Sequence, residues 1–133
     1  MKIVAASGYF NPLHKGHVEY LEKAKSLGDK LIVIVNNDTQ RYLKGSKEFM
    51  LQEERMLIVK ALRCVDEVVL SIDQDSTVCE TLKKIKPDIF AKGGDRFSNE
   101  IPESRICEEF GITMVDGLGN KIQSSSWLLK NKE

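Results

Sequence analysis

Five short apolar runs punctuate the chain: Ile3 to Ala6, Leu31 to Val35, Val68 to Ile72, Ile89 to Ala91 and Ile112 to Val115. They are rich in β-branched residues and do not alternate with polar ones, the pattern of strands covered on both faces. Between them the pattern turns helical over about residues 17 to 27, 51 to 63, 77 to 86 and 102 to 110, with a further segment near 124 to 131. Val18, Leu21, Ala24 and Leu27 set the period of the first. Gly28 and Gly111 stand where helix C-caps belong, Thr77-x-x-Glu80 resembles a capping box, and Pro102 suits a first helical turn.

Regular alternation of strand and helix predicts an α/β chain: a Rossmann-like, doubly wound parallel sheet of about five strands with helices on both faces. Ligands of such sheets bind beyond the carboxyl ends of the strands, where the winding direction reverses. There is no internal repeat and no Pro-, Gly- or Ser-rich linker, so residues 1–133 are expected to form one domain.

Composition narrows the class of partner. Twenty Lys and Arg balance twenty Asp and Glu, which argues against a broad nucleic-acid or membrane-surface footprint. No apolar run approaches the roughly 18 residues of a membrane span, and residues 1–6 read as a strand rather than a signal peptide, so a cytoplasmic address is expected. Cys64, Cys79 and Cys107 are odd in number and widely spaced; they read as core thiols rather than a disulfide framework or a zinc knuckle.

The candidate chemistry gathers in loops that follow strands. Gly8-Tyr9-Phe10-Asn11-Pro12-Leu13-His14-Lys15-Gly16-His17 joins the first strand to the first helix. Gly8 and Gly16 allow close backbone approach, and a helix N-terminus offers free N–H groups and partial positive charge to phosphate. His14 and His17 share a face if the helix has begun there. After the second strand comes Asn36-Asn37-Asp38-Thr39 and then a mobile basic stretch, Arg41 to Lys47. It is either a solvated loop or one that carries Lys44 and Lys47 over bound phosphates. After the fourth strand, Lys92-Gly93-Gly94-Asp95-Arg96 offers a carboxylate suited to ribose hydroxyls. Ser124, Ser125 and Ser126 open the last helical segment as N-caps or as further phosphate donors.

His14-x-Gly16-His17 resembles the signature of the nucleotidylyltransferase superfamily, whose members join a nucleoside triphosphate to a phosphate monoester and release pyrophosphate. Three further stretches resemble that family: Glu53-x-Arg55 with Val65-Asp66-Glu67-Val68, Lys92-Gly93-Gly94-Asp95, and the hydroxyl-rich segment at Ser124. The resemblance implies that His14, His17 and Lys44 are catalytic. It implies nucleotide contacts from Gly8, Tyr9, Phe10, Gly16, Arg55, Lys92, Gly94, Asp95, Ser124 and Ser125, with Arg55 serving either phosphate or the orientation of its helix. Magnesium would arrive with the nucleotide, no protein metal ligands are implied, and relatives are commonly homodimers. The Lys-Gly-Gly-Asp run is most similar to the heptose 1-phosphate adenylyltransferase branch. Glycerol-3-phosphate cytidylyltransferase and FMN adenylyltransferase are the alternatives within the class, and Arg96 stands where an aromatic residue is common. The roles of Lys47, Lys121 and Trp127 stay open. Outside the class stand a nucleotide-binding module without turnover and a zinc hydrolase that uses both histidines. The zinc reading lacks a third histidine, since the chain has two.

Overall fold

A computed structural model describes residues 1–10, 13–44, 51–75, 77–93 and 103–118, with only the backbone at residues 41, 43, 44, 93 and 116–118. The five apolar runs become strands β1 (Ile3–Gly8), β2 (Lys30–Val35), β3 (Glu67–Leu70), β4 (Ile89–Gly93) and β5 (Thr113–Leu118). All pair in parallel, in the order β3-β2-β1-β4-β5. The winding reverses between β1 and β4, which places the switch-point crevice above the carboxyl ends of those two strands.

Helices α1 (Lys15–Lys25), α2 (Asp38–Lys44), α3 (Gln52–Lys60), α4 (Cys79–Ile85) and α5 (Glu103–Phe110) connect them. On one face Tyr20, Leu21 and Ala24 of α1 and Val59 of α3 pack on Val4, Ala6, Val33 and Ala91. On the other, Leu82 of α4 and Cys107 of α5 pack on Ala5, Ile34 and Phe90. Successive residues of β1 therefore enter opposite cores, which is why that strand is apolar without alternation. No helix among the described residues is long and apolar enough to cross a membrane.

Four details depart from the sequence reading. The first helix begins at Lys15, so His14 is its N-cap and lies outside the helical turn. The stretch expected to be a mobile loop is in large part α2, whose start is fixed by a reciprocal cap: the Asn37 side chain accepts from Gln40 N–H at 2.8 Å, and Gln40 Oε1 accepts from Asn37 N–H at 3.0 Å. The expected Thr77/Glu80 box does not form. Asp73 takes Glu80 N–H at 2.7 Å and Thr81 N–H at 3.0 Å instead, since a carboxylate outcompetes a hydroxyl for helix N–H groups.

Gly28 is not a cap either, because α1 closes at Ser26; it is needed for close approach. A Cβ there would lie 2.7 Å from Val4 Cγ2 and 2.8 Å from the Lys2 carbonyl oxygen. Gly111, at φ +70°, does hold the left-handed position after α5. The helical segment expected near 124–131 and Pro102 lie outside the described residues. Because Gly28 meets backbone as well as side chain, Gly28→Ala should cost about 1–3 kcal/mol by overpacking, read as a lowered urea midpoint with an unchanged far-UV spectrum.

Candidate active site at the carboxyl edge of the sheet

The switch-point crevice is bordered by the β1–α1 loop on one side and the end of β4 on the other. At α1 the two histidines cap the helix reciprocally. His14 Nδ1 accepts Gly16 N–H at 3.0 Å, and His17 Nδ1 accepts His14 N–H at 3.1 Å. A nitrogen that accepts carries no proton, so each neutral ring holds its proton on Nε2. The rings stack with centroids 3.9 Å apart, and His17 stands edge-on to Phe10 at 5.0 Å. Nε2 of His14 is buried and has no hydrogen-bond partner among the described residues. A buried N–H donor aimed at nothing costs free energy unless a ligand meets it.

Burial lowers the His14 pKa from its ordinary value, and the accepting role of Nδ1 pushes the same way, since a second proton would face Gly16 N–H. His14 is therefore a neutral donor at neutral pH. The same tautomer argues against zinc on Nε2. A metal there would require the proton on Nδ1 and would break both caps.

Phe10 gives the loop its shape. Its backbone is left-handed at φ 51°, a conformation that costs a non-glycine residue on the order of 1–3 kcal/mol. Its ring is 1% exposed and lies over Gly8, where a Cβ would come within 2.8 Å of Phe10 Cζ. The Phe10 ring thus packs against Gly8 and His17. It wedges His17 from behind, and Gly8 is glycine to make room for it. Gly16 is buried, and its N–H is taken by His14.

Arg55 is fully buried. Its guanidinium donates to the carbonyls of Tyr9 and Asn36, both at 2.7 Å, and to Asp38 Oδ1 at 2.8 Å. Of the two roles weighed for it, this geometry supports the orienting one: the cation joins the β1–α1 loop, the end of β2 and the start of α2, and faces protein rather than the crevice. Asp38 and Gln52 tighten the same joint through Asp38 N–H to Gln52 Oε1 at 2.9 Å. Gln40, wholly buried, donates to the Asp75 and Thr77 carbonyls, both at 2.7 Å, so α2 is tied to the β3–α4 connection as well.

In the β1–α1 loop itself, Tyr9 is half-buried; burial raises its pKa, Arg55 opposes that and Glu103 adds to it. Lys92 Nζ lies 5.8 Å from the centroid of the Phe90 ring. At this point Lys92 faces two residues of β5, because β4 pairs Ala91 with Val115 and Gly93 with Leu118. Such a bulge bends the strand end that leads to Gly94. Lys44 ends α2, with its side chain outside the described residues, and Gly94, Asp95, Ser124 and Ser125 lie outside them altogether. Gly8, Tyr9, His14 and His17 thus follow β1 and Lys92 lies at the end of the neighbouring β4, whereas Phe10, Gly16 and Arg55 are buried beneath the loop. Gln40, Asp38 and Tyr20 were missed by the sequence reading. Only Gln40 had a legible signal, in Asn37-x-x-Gln40.

The sequence profile described as cytidylyltransferase-like matches residues 5–124. Two curated relatives are each named bifunctional protein HldE. The one from Pelobacter propionicus is 40% identical over 123 residues, 87% of this chain and 25% of the relative. That from Helicobacter pylori strain Shi470 is 43% identical over 110 residues, 81% of this chain and 23% of the relative. The chain thus spans about a quarter of the length of these relatives. Among solved structures, a lipopolysaccharide core biosynthesis protein from Thermoplasma volcanium superposes with a TM-score of 0.77 at 28% identity, over 90% of this chain and 98% of that one. A pantoate-beta-alanine ligase from Francisella tularensis shares the fold, with a TM-score of 0.57 at 16% identity over 86% of this chain and 58% of that one.

The depressed His14 pKa sets a pH dependence. Its contribution to stability is complete above the ordinary imidazole value of 6.5 and is lost as pH falls through the lowered folded value. Relative to His14→Asn, which keeps an N-cap acceptor but cannot titrate, the wild-type urea midpoint should therefore fall between about pH 7 and about pH 5.

Proposed function

The chain belongs to the cytidylyltransferase-like family, and from that premise we propose that it transfers a nucleoside monophosphate from ATP, or else CTP, to a phosphate monoester acceptor and releases pyrophosphate. The observation that carries this reading is the pair of Nε2-protonated imidazoles at the N-terminus of α1, beside the switch point. Neutral N–H donors in a buried site are suited to phosphate oxygens and gain strength where water is excluded.

The acceptor phosphate is already an anion at neutral pH, so the step needs no dedicated base. One of its oxygens attacks the α-phosphorus in line, a new P–O bond forms, and the bond to the β-phosphate breaks. Pyrophosphate leaves with the electron pair. His14 and His17 donate to the triphosphate as its charge shifts toward the leaving group, and Lys44 is assigned to the same phosphates. Lys92, Gly94 and Asp95 are assigned to the nucleoside half, Gly8 and Tyr9 to nucleotide contacts on the β1 side, and Ser124 and Ser125 to a second set of phosphate contacts. Magnesium would arrive with the nucleotide, since imidazole N–H groups do not coordinate a cation and that ion keeps most of its waters. When bound with the nucleotide, it would neutralise phosphate charge.

The Lys92-Gly93-Gly94-Asp95 run favours ATP with a sugar phosphate such as heptose 1-phosphate, and the likeness to a lipopolysaccharide core biosynthesis protein supports a sugar acceptor. Glycerol 3-phosphate with CTP is the second choice. Pyrophosphate release should be measured with magnesium and each nucleotide against heptose 1-phosphate, hexose 1-phosphates, glycerol 3-phosphate and FMN. Turnover with a sugar 1-phosphate and ATP is expected, and His17→Ala should lower it about 10²-fold or more without unfolding the protein. Nucleotide binding with no pyrophosphate from any acceptor would instead favour a binding module without turnover.

A further inference from the structure

Tyr20 sits in α1, one turn after His17, and its side chain passes under the crevice to the point where β1 and β4 cease to pair. The last residues of that ladder are Ala6 and Ala91. Directly beyond them the buried Tyr20 hydroxyl donates to the Ala91 carbonyl at 2.6 Å and accepts Ser7 N–H at 3.2 Å. A parallel ladder continued by one step would bring that N–H toward that carbonyl. The phenol oxygen therefore stands between the two strands at the start of their divergence.

What diverges is the cradle itself. Beyond Ser7 the chain runs through Gly8, Tyr9 and Phe10 to the histidines; beyond Ala91 it runs through Lys92 and Gly93 toward Gly94 and Asp95. From this geometry we infer that Tyr20 is a positioning residue: its hydroxyl sets the spacing between the phosphate half and the nucleoside half of the nucleotide site. The inference rests on the reading of the site given under Proposed function. Tyr20 touches no reacting atom. It acts through Ser7 and Ala91, and because it shares the α1 face of His17 it also fixes how that helix sits over the two strand ends.

Removal of the hydroxyl leaves Ser7 N–H and Ala91 C=O to meet one another or to go unsatisfied, and either outcome changes the spacing. A ligand that spans both halves should sense the change, whereas one confined to the phosphate half should not. The test compares wild type, Tyr20→Phe and a control core variant, Ile112→Val, on the opposite sheet face, by calorimetric binding of ATP, CTP and inorganic tripolyphosphate with magnesium.

Tyr20→Phe should bind the preferred nucleotide at least tenfold more weakly yet bind tripolyphosphate within twofold of wild type, while Ile112→Val alters neither. Equal weakening of both ligands, or of neither, would overturn the spacing role. If wild type binds no nucleotide, the reading of the site itself fails, and the role of Tyr20 with it. Should Tyr20→Phe not fold, the wild-type hydroxyl proton can be followed by NMR. It should be slow to exchange, show a cross-peak to Ser7 N–H, and shift on addition of nucleotide but not of tripolyphosphate; equal shifts with both would refute the assignment.

Discussion

A guanidinium buried to 0% exposure governs the carboxyl edge of this sheet. A cation so placed is tolerable only if its donors are met, and Arg55 meets them with two carbonyls and a carboxylate drawn from two connections, β1–α1 and β2–α2. The contact is a constraint before it is a source of stability. Each partner must turn inward to keep the charge satisfied, so the Tyr9 carbonyl, the Asn36 carbonyl and the first turn of α2 take up fixed relative positions. From the Tyr9 carbonyl the chain enters the left-handed turn at Phe10, and that turn delivers His14 to the start of α1.

The phosphate cradle proposed at this edge would use dipoles more than net charge. A helix N-terminus ordinarily offers its own N–H groups to an anion. Here the N–H groups of His14 and Gly16 are spent on the imidazole Nδ1 atoms, and His14 offers its unmet Nε2 in their place. The rings therefore pass the polarity of the helix end outward, through hydrogen bonds that polarise one another in a poorly hydrated setting. Stacking and the edge of Phe10 hold them rigid, so little reorganisation is required when negative charge moves toward a leaving group.

Much of this was legible in the linear chain because its signals are local. The apolar runs gave the five strands, and their lack of alternation gave the two-sided sheet. The spacing of His14 and His17 gave a shared helix end. Sequence reading failed where a longer-range acceptor won. Thr77 lost the N–H groups of Glu80 and Thr81 to Asp73 and kept only that of Cys79 at 3.4 Å, and Gly28 proved to be a matter of clearance from Lys2 and Val4 rather than of helix capping. The stretch before Lys44 looked like a charged loop, yet Asn37 and Gln40 cap it reciprocally into a helix.

What the sequence determined by itself was the alternation of buried strands and amphipathic helices, and hence the parallel sheet and the edge at which its chemistry gathers, because periodicity and capping act between near neighbours. Which polar groups face the crevice and which face inward was decided only by tertiary structure. Arg55, Phe10 and Tyr20 look no different in sequence from residues that touch a ligand. Their partners lie 46 residues away for the Arg55–Tyr9 contact and 71 for the Tyr20–Ala91 contact, and the obligation to satisfy every buried donor is settled only when those distant segments meet.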